Sequence, residues 1–259
     1  TIEPGFRQWM IRSLREDKRT YRQHVKKSIR AAGSSALPFL IYERFIAAIS
    51  AVGWKLVRAV FIKSTQGTGK TQLMVYLAQK LHELDQAVLY ITHRQLLCGQ
   101  SSARLELADY RHCDDIAKAQ RLSICLNSIT KVSLADRTIE WTDDSGVRHA
   151  RTFGLVIIDE SEQVARALFN KTIGNASAKV YAHLRAVLQC AKQVLCADAD
   201  LGRFTHRLVR RCLDLPDHGS ADEFHLHNTW YPPDRRFELH EGRDHLLRRA
   251  LRRTLEKDF

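Results

Sequence analysis

Glycine and proline are scarce in this 259-residue chain, at 12 and 5 residues, which argues against collagen-like or low-complexity architectures. The six cysteines (Cys98, Cys113, Cys125, Cys190, Cys196, Cys212) include no C-x-x-C pair, so free, mostly buried thiols in a reducing compartment fit better than a disulfide framework. Among His206, Cys212, His218, His225 and His227 no pair has zinc-finger spacing. Long apolar runs are missing too: the stretch 39–54 is broken by Glu43 and Arg44 and followed by Lys55, too short and too charged to cross a bilayer. No apolar core follows the basic N-terminal residues, as a secretory signal would require. The chain opens on Thr1 rather than Met, as expected of a processed chain or of a segment of a longer one. With 44% hydrophobic and 27% charged residues, it has the composition of an ordinary folded protein.

Acidic residues are in the minority, 29 Asp+Glu against 41 Lys+Arg, for a formal net charge of +12. The excess is uneven, because residues 1–30 hold nine basic and three acidic side chains. Such an excess attracts phosphate backbones through counterion release, although a solvated helix face carries charge of the same kind.

Within residues 5–32, Phe6, Met10, Leu14, Tyr21, Val25 and Ile29 recur at spacings of four and seven, one stripe of an amphipathic helix. Gly33 then predicts a stop, and a second, largely apolar helix follows over 38–52. From residue 56 the pattern changes. Apolar runs at 56–62, 87–92, 122–126, 153–158 and 193–197 read as strands buried on both faces of a parallel sheet. Helical stretches fall between them, at 70–84, 94–108, 162–170 and 178–191, which together predict an α/β doubly wound layer structure. Residues 137–152 alternate around Asp144-Ser145-Gly146 and predict a solvent-facing hairpin. After 201 come a helix to about 213, possible strands at 224–229 and 236–240, and a basic terminal helix at 243–257. The expected organisation is a basic helical arm at 1–54, an α/β unit at 55–202 and an extension at 203–259.

The sharpest local signal is Ser64-Thr-Gln-Gly-Thr-Gly-Lys-Thr71, between a predicted strand and a predicted helix. Gly67 and Gly69 let the backbone curl so that successive N–H groups converge, and the helix dipole adds positive potential for a phosphate. Lys70 suits the β- and γ-phosphates of a nucleotide, and the Thr71 hydroxyl suits Mg²⁺. Ser64 stands where the consensus has its first Gly. The second signal is Val156-Ile-Ile-Asp159-Glu160-Ser-Glu162, a buried strand ending in acids at the edge where open α/β sheets bind ligands. Asp159 is suited to hold Mg²⁺ through a water, and Glu160 to orient and deprotonate the attacking water.

Five segments occur in order: Thr65-Gln66-Gly67-Thr68-Gly69-Lys70-Thr71, 88–94, 124–128, 157–162 and 194–200. This set resembles motifs I, Ia, Ic, II and III of superfamily 2 helicases, and is most similar in wording to the origin-binding-protein type of replication helicase of herpesviruses, plasmids and phages. The resemblance implies a RecA-like first motor domain with a phosphate loop, ATP and Mg²⁺ as ligands, and catalysis through Lys70, Asp159 and Glu160. It implies that Thr92, His93, Arg94, Asn127 and Ser128 contact the phosphodiester backbone of single-stranded or origin DNA. Their guanidinium, hydroxyl and amide groups suit phosphate contacts, although His93-Arg94 also suits a charged helix start. Asp198 and Asp200 would couple nucleotide state to strand binding, with capping of the following helix equally open to Asp200.

A second RecA-like domain, which supplies arginine fingers in such motors, is expected in a full-length chain. Without it this segment is expected to be a slow ATPase, cytoplasmic, or nuclear if it comes from a eukaryotic virus. Alternatives are a viral packaging ATPase, a nucleotide-gated DNA-binding module without unwinding, and a small-molecule phosphate-loop kinase. Glu160 favours hydrolysis over a pure switch.

Overall fold

The computed structural model describes residues 57–170, 173–216 and 222–228. The predicted arm at 1–54 and the elements expected beyond residue 228 lie outside the described residues.

Seven parallel strands form the central sheet in the order β3-β4-β2-β7-β8-β1-β9. In chain order they are β1 (Ala59–Ser64), β2 (Ala87–Thr92), β3 (Ala108–Asp109), β4 (Arg121–Cys125), β7 (Phe153–Asp159), β8 (Ala191–Asp198) and β9 (Glu223–Asn228). All six residues of β2 are buried, as are the first six of β7. Continuous Val/Ile/Leu runs have this consequence, since both faces of each strand need cover. On one face that cover comes from α1 (Lys70–Glu83) and α2 (Gln95–Leu105), through Leu73, Leu77, Leu81 and Leu105. On the other it comes from α3 (Ser161–Ala167), α4 (Ser177–Cys190) and α5 (Arg203–Cys212), through Val164, Leu184, Val187, Leu188 and Val209. Helix α4 shows how sequence becomes packing: Val180, Leu184, Val187 and Leu188 recur at helical spacing and all are buried.

The architecture is the α/β parallel sheet expected from strand–helix alternation, of the RecA-like kind that the resemblance implies. The five strands predicted within 56–197 form, with ends shifted by up to three residues, and the possible strand at 224–229 forms as β9. The hairpin forms as well, from β5 (Ile139–Thr142) and β6 (Arg148–Arg151), as an antiparallel pair separate from the main sheet. Its turn is held by Asp143, whose Oδ1 accepts from the Ser145 and Val147 amides at 3.0 Å each. Among the described cysteines all six are free, and all but Cys113 are buried.

The sheet continues past residue 202, the expected end of the α/β unit. Strand β9 pairs with β1 in parallel from Ala59↔Glu223 to Ser64↔Asn228 and covers what would otherwise be an open edge. Leu226 and Asn228 are buried there, while His225 and His227 are exposed. Helix α5 is joined to α3 by one buried carboxylate. Glu162 Oε2 accepts from Thr205 Oγ1 at 2.6 Å and from the Gly202 amide at 3.0 Å. Burial pushes this carboxyl up, but the Thr205 and Gly202 hydrogen bonds and nearby Arg166 outweigh it and hold it below its ordinary 4.5.

Glu162→Ala is therefore expected to cost about 1–3 kcal/mol in urea unfolding, because it strands a buried hydroxyl and an amide. The stabilisation that Glu162 provides should be complete above its ordinary value of 4.5 and be lost as pH falls through the lowered folded value. Equal unfolding midpoints for parent and variant at neutral pH would contradict this role.

Candidate functional site

Strand β1 ends at Ser64 and α1 begins at Lys70, so the loop between them must reverse direction within five residues. Gly67 at φ +78° and Gly69 at φ +91° provide the left-handed conformations this needs. A Cβ at Gly67 would meet nothing within 4 Å, so conformation rather than space requires glycine there. The loop is braced from within by Thr68, which is fully buried and donates to the Thr65 carbonyl at 2.7 Å. Ser64 Oγ lies 2.7 Å from Thr68 Oγ1 and accepts from Asn228 Nδ2 at 3.0 Å. The residue that departs from the glycine consensus is thus a side-chain pin between the loop and β9. Lys70 Nζ donates to the carbonyls of Ser64 at 2.5 Å and Thr65 at 2.8 Å, so its ammonium lies along the loop. First-turn N–H groups of α1 have no carbonyl within the helix to satisfy them and make the loop an anion site.

Across from the loop, β7 delivers Asp159 and Glu160. Tyr90 on neighbouring β2 donates its hydroxyl to Asp159 Oδ2 at 2.7 Å, and the Glu160 amide donates to Asp159 Oδ1 at 3.0 Å. Glu160 is the N-cap of α3 and sits in the left-handed region at φ 49° and ψ 49°. For a residue with a side chain this conformation stores strain of roughly 1–3 kcal/mol, a feature that collects at functional sites. Burial raises the carboxyl of Asp159, against the Tyr90 hydrogen bond. Burial and then Asp159 raise that of Glu160.

Asp198, at the end of β8, is buried and accepts from the Glu162 amide at 2.8 Å and the Asp200 amide at 2.9 Å. Asp200 does not cap α5, whose N-cap is Gly202 with no side-chain hydrogen bond. It lines instead a cavity of about 470 Å³ shared with Gly67, Lys70, Thr71, Asp159 and Glu160. Gln66, Gly69 and Asp198 also line it, whereas Thr65 and Thr68 do not.

The groups expected at a nucleic-acid edge separate into two sets. Thr92 pairs with Cys125 in the ladder, so Arg94 and Asn127 lie two residues beyond one rung, on adjacent strand ends, and both are exposed. Ser128 is half-buried beside Asn127 in a 3₁₀ turn, Leu126–Lys131. Thr92 is fully buried and cannot present its hydroxyl to a strand at this edge. His93 faces inward: its side chain is 11% exposed and Nδ1 lies 3.5 Å from Glu160 Oε2. Arg94 is the N-cap of α2, its carbonyl accepting from the Cys98 amide.

Sequence reasoning assigned no role to Tyr90, Asn228, Glu162 or Arg104, the last of which also lines the cavity. Two had a readable signal. A tyrosine inside a buried apolar strand needs a partner for its hydroxyl, and alternation in β9 puts Asn228 on the buried side. Arg104 had none, because it looks like an ordinary helix-surface charge, and nothing local in the acidic run tells that Glu162 turns to Thr205 and Gly202.

A magnesium nucleotide fits this donor set. Mg²⁺ takes hard oxygens, one or two from carboxylates, and completes its shell with water and phosphate. Thr71 and Asp159 supply a hydroxyl and a carboxylate in one cavity, and the raised Asp159 and Glu160 carboxyls mark negative charge that a cation would relieve.

Glycine loop, helix N-terminus and facing acidic strand end define a phosphate-loop domain. The chain belongs to the family described as type III restriction enzyme, res subunit, which it matches over residues 19–192. That match begins inside the segment set apart above as an arm. The chain is 27% identical over 201 residues to an uncharacterized protein of Picosynechococcus sp., covering 73% of this chain and 19% of that protein. It thus spans about a fifth of the length of that curated relative. A solved structure of a hypothetical ATP-dependent RNA helicase from Sulfolobus tokodaii is similar at a TM-score of 0.45 and 15% identity, over 79% of this chain and 57% of that one. Among the described residues, no helix is long and apolar enough to cross a membrane.

Proposed function

We propose that this chain is the ATP-hydrolysing lobe of a DNA-dependent motor of origin-binding, replication-helicase type, completed by a second RecA-like domain. The observation that carries the ATPase reading is the single cavity in which Lys70 and Thr71 face Asp159 and Glu160. Lys70 exchanges its loop carbonyls for β- and γ-phosphate oxygens. Thr71, and Asp159 through a water, would hold Mg²⁺, which would neutralise phosphate charge when bound. Glu160 accepts the proton of the attacking water. Asp198, hydrogen-bonded to the first turn of α3, and Asp200 at the cavity wall link the nucleotide to the helices behind it.

A nucleic-acid partner is supported by the ordered motifs, by the +12 net charge, and by exposed Arg94 and Asn127 at one sheet edge, and the choice of DNA rests on the resemblance to replication helicases. The test is ATP hydrolysis at low salt with no nucleic acid, single-stranded DNA or single-stranded RNA. Stimulation by DNA above RNA is expected, with DNA affinity falling steeply as salt rises. Arg94→Ala should weaken DNA binding and flatten that slope. ATP binding without stimulation, or a flat salt response, would overturn the motor reading.

A further inference from the structure

His93 is the one member of the expected nucleic-acid set that the fold turns toward the catalytic acid. Its Nδ1 lies 3.5 Å from Glu160 Oε2, just beyond good hydrogen-bond range. Neither ring nitrogen has a hydrogen-bond partner among the described residues, and both are buried. A buried, unpartnered donor or acceptor is costly, so a shift of a few tenths of an ångström that closed this contact would be favoured. Both sides of the contact are unsettled in the same way. Thr92 Oγ1 and Ser161 Oγ, the neighbours of His93 and Glu160 along the chain, are also buried without a partner among the described residues. Glu160 has the strained left-handed backbone, and α3 packs on β2 beside it. The next residue, Arg94, is exposed and begins α2.

We propose that His93 is a positioning residue that holds the Glu160 carboxylate back from the attacking water until a nucleic-acid strand engages Arg94. A hydrogen bond from Nδ1 lowers the basicity of the carboxylate oxygen that accepts it and fixes the direction in which the carboxylate points. Pulling on Arg94 moves the turn at 92–94, opens the His93–Glu160 contact and frees that oxygen. The imidazole acts as a neutral donor, since burial and then Arg94 hold it below its ordinary value. The proposal rests on Glu160 being the base of the reading above, and it makes His93 a coupling device rather than a strand contact.

The test uses the full chain and two variants, His93→Ala and His93→Asn; the Asn amide nitrogen occupies the place of Nδ1. For His93→Ala, turnover without DNA should rise about 2- to 10-fold, the range that one hydrogen bond of typical net worth corresponds to. The ratio of DNA-stimulated to basal turnover should fall by the same factor, with DNA affinity and KM for ATP unchanged. Asn should restore the parent ratio. Weakened DNA binding with unchanged basal turnover would make His93 a strand contact and overturn the proposal. An equal fall in both turnovers, or no change in either, would overturn it as well.

The DNA-free measurement keeps the two readings apart. Raised basal turnover in His93→Ala supports the contact even if DNA fails to stimulate the parent chain. A readout independent of hydrolysis is the ¹⁵N ring resonance of His93, which should move in Glu160→Gln. An unmoved resonance would overturn the contact directly.

Discussion

Glu160→Gln is expected to leave ATP bound and to reduce its hydrolysis by roughly two to four orders of magnitude, the usual worth of a positioned general base. The amide keeps the size of the carboxylate and should keep the left-handed N-cap of α3, whose amide donates to Asp159 Oδ1. What it lacks is a lone pair basic enough to take a proton. Burial and Asp159 raise the Glu160 carboxyl, which makes the parent side chain a stronger base than an exposed glutamate. Binding of a fluorescent ATP analogue, followed beside single-turnover hydrolysis, separates the two effects. Turnover at the parent rate would remove Glu160 from the chemistry, and lost binding would mean that it shapes the cavity instead.

The second large effect is expected from Lys70→Ala, which should weaken ATP binding by about 10- to 100-fold, since hydrogen bonds to charged groups contribute roughly 1.5–3 kcal/mol. Lys70 Nζ holds the Ser64 and Thr65 carbonyls, so it is already at the mouth of the loop and needs only to exchange partners. Lys70→Arg should not rescue binding, because a planar guanidinium differs in shape and reach from a compact ammonium. Equilibrium titration with the same analogue measures both variants. Unchanged affinity in Lys70→Ala would mean that backbone amides and the α1 dipole alone carry the phosphate.

Both effects act on residues that a linear reading finds, and the reason is local. A glycine loop between a strand and a helix, and a buried strand ending in acids, are written in consecutive residues whose backbone needs are short-range. Apolar runs such as 87–92 and 153–158 announced strands because a strand covered on both faces is built mostly of apolar residues. The hairpin was legible for the converse reason, since its alternation around Asp144-Ser145-Gly146 is the pattern of a ribbon wet on one side.

Other features depend on which segments the sheet makes neighbours. Ser64 looked like a flaw in the loop until β9, 164 residues away, brought Asn228 to its hydroxyl. Tyr90 was one apolar-strand residue among six until the β2–β7 pairing set it against Asp159. His93 and Arg94 are adjacent in sequence, yet the chain enters α2 between them, leaving one against Glu160 and the other in solvent.

By itself, then, the amino-acid sequence determined the parallel α/β class, the phosphate loop with Lys70 and Thr71, and the acids at the end of β7. Hydrophobic period, glycine conformation and strand-end chemistry all act within a few residues. Only the tertiary structure decided that the sheet continues to Asn228, that Glu162 joins α3 to α5, and that His93 faces the Glu160 carboxylate. Those outcomes come from strand order and helix packing, which bring together side chains that no local pattern connects.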